Sequence, residues 1–394
     1  MNLELGEDQK LLFETVDSAV GRGYAAGGRA EATESERGWN DGVWKTLAEM
    51  GIPGLVVAEE HGGAGAGPVE VYASLEAIGK HAAAEPLLDG AFLPAWLITS
   101  LGSDEQVAEL LPALAEGTTI AVAHAEPGRP WSALPSVTAA RADDGSVTLS
   151  GVKAPVRHAD QAATLLVTAA DGEQTRVYVV NAAADGITRS DGRSADWSRA
   201  SQLELRSVPA TPLGDGAANA VLRTVSARAR VAVLGEAVGL MESGLAHTVE
   251  YLKTRKQFGV PLSTFQALVH RASDLYARVE LARSMALWAT AVLETYDDYG
   301  REVPAELDAI EAAADDAFVF VGDAATTAAE EIVQLHGGIG MTYESTVAHH
   351  AARLTAITES FGGVAAARRR AVASGSALTP PSALVNNADA VTAQ

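Results

Sequence analysis

The stretch YLKTRKQFGVPLSTFQ, residues 251–266, sets basic residues, a Gln, a Phe and a Gly between a helical run and a new helix start. Ser263 followed by Gln266 has the spacing of a capping box, in which two side chains satisfy backbone N–H groups left free at a helix beginning. Beyond it Leu268, Ala272, Leu275 and Val279 share one face, a stripe suited to a helical bundle. The cationic corner stands out because the 394-residue chain is strongly acidic, with 29 Lys and Arg against 51 Asp and Glu and a formal net charge of -22. That balance argues against nucleic acid or an anionic membrane as the main partner, while an anionic small ligand needs only local potential.

Outward from this corner, residues 217–375 read as long helices. Residues 1–117 are also helical, with EDQKLLFETVDSAV, GVWKTLAEMG and PVEVYASLEAIGKHAA all carrying apolar residues at helical spacing. A further helix opens at Ser103 or Asp104 and closes at Gly117. Residues 51–67, GIPGLVVAEEHGGAGAG, form a Gly-rich connection. Between the helical parts, residues 118–216 hold short β-rich runs (SVTLSGVK, ATLLVTAA, TRVYVVNA) separated by ADDG, DGEQ and ADG turns. Residues 376–394 lack periodicity and read as a loose tail. With no cysteine, disulfides, thiolate metal sites and a Cys nucleophile are excluded. The acidic start has no signal-like pattern and no apolar run is long enough to span a bilayer, so a cytoplasmic chain without membrane partners is expected.

The order helical, β, helical, with these words in it, resembles the acyl-CoA dehydrogenase family from about residue 5 to 372. RKQFGVPLSTFQ (255–266) and QLHGGIGMTYE (334–344) carry the resemblance, supported by EEHGGAGAG (59–67), LPALAEG (111–117), AEPG (125–128) and LSGVK (149–153). It implies an α+β, mostly α fold: an N-terminal helical domain, a middle antiparallel β domain and a C-terminal four-helix bundle. It further implies FAD as cofactor, an acyl-CoA thioester as substrate, and an electron-transfer flavoprotein or similar acceptor. Assembly is expected through the bundle, as a homo- or hetero-oligomer with a related subunit.

In the family the two strong motifs bind the adenosine diphosphate half of an FAD lying across a subunit interface, which assigns Arg255, Gln257, Phe258, Gln266, Gln334, Gly337 and Gly338 to the cofactor. The residue types agree. Arg255 offers a planar fork suited to a pyrophosphate, Phe258 a stacking surface, and Gly259 a close backbone approach. Gln266 and Gln334 can bond a ribityl or adenosine group. Each also has a plainer reading taken singly: cations at a helix C-terminus, a glycine helix stop, a core Phe. His336 falls inside the motif, His349 and His350 diverge around a helix, and no metal site is predicted.

Several positions depart from the family pattern. Its reaction needs a Glu to take the α-proton while a hydride passes to the flavin. That Glu usually lies in a Tyr-Glu-Gly-Thr-like turn, where counting from Gly337 places Phe361 and then Gly362. Glu359 is two residues early and is the nearest candidate for the base. Some members carry the Glu just ahead of an Arg on the helix before the basic motif; here that Arg is Arg230, a substrate-binding candidate, and Ala229 precedes it. Glu236, two turns on, is a less favourable base. The flavin-edge Thr beside EPG is Ala125, and the usual Trp-Ile-Thr after LSGVK reads Pro155-Val156-Arg157. Three functions follow from the resemblance: α,β-desaturation by a self-sufficient enzyme, the base-lacking subunit of a heteromeric one, or a flavin-dependent oxygenase or oxidase on the same scaffold. RLTAITESFGG (353–363) resembles the actinobacterial heteromeric branch.

Overall fold

A computed structural model describes residues 5–24 and 28–375; the expected tail, 376–394, lies outside them. The N-terminal part is helical, with α1 (Glu7–Gly23), α2 (Gly28–Glu34), α3 (Asp41–Glu49), α4 (Pro68–Lys80), α5 (Leu93–Leu101) and α6 (Asp104–Ala115). Local chemistry starts these helices. Asn40 caps α3 by accepting from the backbone N–H groups of Gly42 and Val43. At α6, Ser103 and Gln106 form a reciprocal capping box, Ser103 Oγ accepting at 3.3 Å and Gln106 Oε1 at 3.1 Å. The Gly-rich connection holds two 3-10 turns, Ile52–Gly54 and Glu59–His61.

The middle part is one sheet of β1 (Ile120–Ala123), β2 (Thr138–Arg141), β3 (Val147–Arg157), β4 (Thr164–Asp171), β5 (Gln174–Asn181), β6 (Ile187–Arg193) and β7 (Arg199–Pro212). Its pairings are antiparallel except where β4 meets β1 and, at a single residue pair, β2. Because β5 bonds both β4 and β7, the sheet turns back on itself around a small core of its own, including Leu149, Leu165, Tyr178 and Leu203. A register shift in β3 between Lys153 and Val156 re-aims the strand end that carries Arg157.

The C-terminal part comprises α7 (Asn219–Thr254), the short hairpin β8 (Lys256–Gln257) and β9 (Val260–Pro261), then α8 (Gln266–Tyr296), α9 (Leu307–His336), α10 (Thr346–Thr358) and α11 (Val364–Ser374). The expected capping box at α8 is not formed. Ser263 lies in a 3-10 turn, Leu262–Thr264, and α8 begins after Phe265 without a side-chain cap. The preceding turn leads the backbone into the helix through Phe265 N–H to Leu262 O at 3.1 Å. The predicted stripe does face the bundle: Leu275 and Val279 are buried, Leu268 and Ala272 half-buried. Val269, Tyr276 and Leu281 remain exposed on other faces of α8.

Three glycines join the N-terminal helices to the bundle. A Cβ on Gly79 would collide with the backbone oxygen of Glu236, one on Gly239 with that of Glu76, and one on Gly235 with that of Tyr72. Backbone therefore meets backbone where α4 crosses α7.

Candidate active site

Between the sheet and the bundle lies a cavity of about 470 Å³, within the range of small-molecule sites. Leu93, Val122, Pro130, Trp131, Pro155 and Phe361 give it apolar walls, and Asp89, Glu126, Arg129, Arg157 and Glu359 its charges. Asp89 comes from a π-helical turn, Leu88–Phe92, that runs into α5. Phe361 and Gly362 come from the turn after α10, both at positive φ (52° and 93°). The Phe361 ring stands edge-on to Trp131, with centroids 5.9 Å apart. A Cβ at Gly362 would approach the Trp131 Cβ to 3.0 Å, so a side chain there competes with the tryptophan for the same wall.

Trp131 is held by two hydrogen bonds. Its Nε1 donates to Ser226 Oγ on α7 at 3.1 Å, and its carbonyl accepts from His124 Nε2 at 2.8 Å. Burial pushes His124 down to about 4, so the ring is neutral near pH 7 and Nδ1 accepts from Thr168 Oγ1. Beneath it Lys153, fully buried, donates to Glu126 at 2.8 Å, Thr168 at 2.9 Å and the His124 carbonyl at 3.1 Å. Burial lowers the Lys153 pKa to about 8. For Glu126 burial acts upward, but hydrogen bonds from Lys153, Ser136 and Val137 outweigh it and hold the carboxyl down to about 2. A carboxyl lowered on folding adds stability that is complete above its ordinary value, 4.5, and is lost as pH falls through about 2. Urea midpoints measured between pH 7 and 2 should therefore fall more steeply below pH 4.5 for the native chain than for Glu126→Gln; parallel curves would rule this clamp out as a source of acid sensitivity.

Behind the cavity all three parts of the chain meet at Asp196, a fully buried carboxylate in the turn between β6 and β7. Arg353 of α10 lies 3.1 Å from it, Arg29 of α2 3.4 Å and Arg157 of β3 3.7 Å, while Ser198 Oγ donates at 2.7 Å. Burial would raise the Asp196 pKa; the arginine charges reverse that and hold it far below the usual carboxylate range. Close by, burial pushes the Glu85 carboxyl up to about 7, against hydrogen bonds from Tyr24 and the Asn40 N–H.

Two sequence candidates lie outside the cavity lining, each in a buried ion pair. Glu236 is buried and takes a bidentate pair from Arg353 at 2.6 and 2.8 Å, outside the cavity lining. Arg230, expected at the substrate, is buried against Asp315 at 3.1 Å and does not line the cavity either. In both cases a buried charge is neutralised by a partner far away in sequence. Glu359 does line the cavity, exposed at the end of α10. Asp89, Trp131 and Asp196 had no sequence signal; an Asp between apolar residues or a Trp in a loop is unremarkable until the fold gathers them. Among the described residues no group of three or more His, Asp or Glu side chains is placed to hold a metal, and no helix is long and apolar enough to cross a membrane.

The outer corner is a separate place. Arg255, Gln257, Phe258, Gln266, Gln334, Gly337 and Gly338 are all exposed, Phe258 to 92%, and none lines the cavity. Tyr251 stacks on His336 at 4.5 Å and so brings the end of α7 beside the end of α9. The donor set suits an adenosine diphosphate group. The Arg255 side chain has no hydrogen bond or ion pair among the described residues, and at Gly259, Gly337 and Gly338 a Cβ would meet nothing within 4 Å, leaving open backbone for a ligand. The cavity has the volume and apolar walls of a small-molecule site. Its polar partners, however, are changed: Ala125 offers only backbone, already bonded to Ala154 N–H, and Pro155 and Arg157 follow.

Family models reach the same grouping from the sequence. The N-terminal domain of acyl-CoA dehydrogenases matches residues 6–118 and the C-terminal domain residues 214–376. Acyl-CoA dehydrogenase FadE28 of Mycobacterium tuberculosis is 31% identical over 332 residues, 81% of this chain and 88% of that one. The probable acyl-CoA dehydrogenase YngJ of Bacillus subtilis is 28% identical over 361 residues, 87% of this chain and 91% of its own. Among solved structures, the Tcur3481-Tcur3483 steroid ACAD superposes with a TM-score of 0.83 at 30% identity, over 95% of this chain and 100% of that chain. The ChsE4-ChsE5 complex of Mycobacterium tuberculosis does so with a TM-score of 0.84 at 24% identity, over 96% and 100%, a likeness of fold. With both flanking helical parts matched and a relative of this identity aligned along most of its length, the chain belongs to the acyl-CoA dehydrogenase family, whose members are FAD-dependent oxidoreductases acting on CH–CH bonds.

Proposed function

We propose that this chain is the base-lacking subunit of a heteromeric acyl-CoA dehydrogenase, in which its outer corner receives the adenosine diphosphate half of an FAD whose ring lies in a related partner subunit. The observation that carries this is the turn at 360–363: Phe361 and Gly362 stand there, closed over by Trp131, where α-proton removal needs a carboxylate. Of the carboxylates in the cavity wall, Asp89 is paired with Arg157 and Glu126 with Lys153. The outer set is complete and exposed, as a surface awaiting a neighbour would be. Bound FAD supplies the hydride acceptor for α,β-desaturation of an acyl thioester, and an electron-transfer flavoprotein is the expected onward acceptor. This chain's share is to grip the pyrophosphate with Arg255 and to cover the adenosine with Phe258, Gln266 and Gln334. The Tcur3481-Tcur3483 steroid ACAD is named for two components, which supports a paired enzyme and makes a bulky polycyclic acyl-CoA the first substrate to try.

A second reading has one observation behind it. Glu359 reaches the cavity, and as base it would make the chain self-sufficient. Flavin absorbance against protein concentration separates the two. The heteromeric reading expects apo protein alone and about one FAD per pair after co-expression with a related subunit. About one FAD per chain in the isolated protein, bleached by an acyl-CoA and not by the same thioester with Glu359→Gln, would establish the self-sufficient enzyme instead.

A further inference from the structure

Arg157 is the one arginine of the central cluster whose guanidinium donates no hydrogen bond among the described residues. Arg353 grips Glu236 with two N–H groups, and Arg29 donates to the carbonyls of Ala82 and Ala83 at 2.5 and 3.1 Å. Arg157 has only charge contacts: Nε lies 2.7 Å from Asp89 Oδ2 without hydrogen-bond alignment, and Nη2 lies 3.7 Å from Asp196. Its side chain is 22% exposed, and it lines the cavity together with Asp89. A guanidinium has five N–H donors in a rigid fork and no acceptor. The Arg157 Nε is buried against Asp89, while the terminal N–H groups are not buried and have no protein acceptor among the described residues, which leaves them free to meet a ligand oxygen.

Charge decides which kind of oxygen. Arg29, Arg157 and Arg353 are matched by Asp89, Asp196 and Glu236, three against three. Glu85, pushed up to about 7, adds to the negative side whenever it ionises. The cluster therefore presents no surplus positive charge to a carboxylate or phosphate, only directed N–H groups. Around these donors Leu93, Val122, Trp131, Pro155 and Phe361 form an apolar sleeve.

We propose that Arg157 makes the cavity a binding site for a neutral carbonyl oxygen on a largely apolar body. Such an oxygen comes from one of two sources, the ring of a flavin or an acyl group carrying a ketone away from its thioester. The inference rests on reading this cavity as the ring and acyl pocket of the family. The flavin source needs a ring in this chain's own cavity, against the heteromeric reading that puts it in the partner, whereas the acyl source is compatible with either. Flavin stoichiometry tests that reading and the probes below test this one, so their failures would be seen separately.

Titration calorimetry on the full chain, native and Arg157→Lys, tests it with three probes: lumiflavin, a short acyl N-acetylcysteamine thioester ending in a methyl ketone, and the same thioester with methylene in place of the ketone. The lysine keeps the charge beside Asp89 and loses the fork; an unchanged melting temperature certifies the fold. Affinity for at least one carbonyl probe should fall about ten-fold in the variant, while the plain thioester stays within about two-fold. A fall for lumiflavin identifies the flavin as source, and a fall for the ketone identifies the acyl group. The proposal is overturned if the variant binds both carbonyl probes as the native chain does, if all three probes weaken alike, or if the native chain binds none of them.

Discussion

Asp196→Asn should destabilise the chain by about 3–5 kcal/mol, the usual cost of removing one partner from a buried ion cluster. The substitution is nearly isosteric, so it opens no cavity; what it removes is charge. Arg29, Arg157 and Arg353 would then share two neighbouring carboxylates, Asp89 and Glu236, and both are already engaged. Since α2, the sheet and α10 meet at this residue, the loss should be felt across the molecule, and it is a large share of the stability of an ordinary domain. Urea denaturation would measure it, with the exposed ion pair of Arg206 and Glu204 as control, where Glu204→Gln should change stability by no more than about 0.5 kcal/mol. A cost below about 1 kcal/mol for Asp196→Asn would mean that solvent reaches the cluster. The pH sign follows from the lowered pKa: this stabilisation is present above the ordinary carboxylate range and survives well into acid.

Arg255→Ala should do the reverse, leaving the isolated chain unchanged to within about 0.5 kcal/mol while loosening FAD in the assembled enzyme. The side chain is exposed and has no partner among the described residues, so its removal breaks nothing within the fold. A charge-assisted contact to a pyrophosphate is worth roughly 1.5–3 kcal/mol, which corresponds to about 10- to 100-fold in FAD affinity. The measurement is FAD released on dilution of the co-expressed complex, followed by fluorescence. Retention equal to that of the unmodified complex would remove Arg255 from the cofactor site and with it the outer corner's support for the cross-subunit reading.

The outer corner stood out in the sequence because its residues come as contiguous words, 255–266 and 334–338, and the structure brings the ends of α7 and α9 together there, the cofactor role being the one proposed above. The order of helical and β-rich parts was legible for a similar reason, since turn residues and apolar periodicity act over a few positions. The cavity was not. Lys153 meets Glu126 across 27 residues and Arg353 meets Glu236 across 117, and no spacing rule announces either pair. Arg230 was a candidate by its place ahead of a binding motif, and its pairing with Asp315 inside the bundle has no signal in the sequence. Ser263 misled because the hairpin and 3-10 turn had already shaped the start of α8.

The glycine crossing of α4 and α7 bears on how such a chain can diverge. With Gly79, Gly235 and Gly239 each set against the opposing main chain, neither helix accepts even a methyl group without the other withdrawing. Inheritance is then coupled across a sequence gap: the first helical third and the long central helix can drift only as a matched pair. A single crossover between relatives inside residues 81–234 would part the two sides of that seam, while a segment exchanged with both of its ends inside that range leaves it whole. New specificities can then arise in cavity-lining segments such as 129–131, on a frame held by that seam.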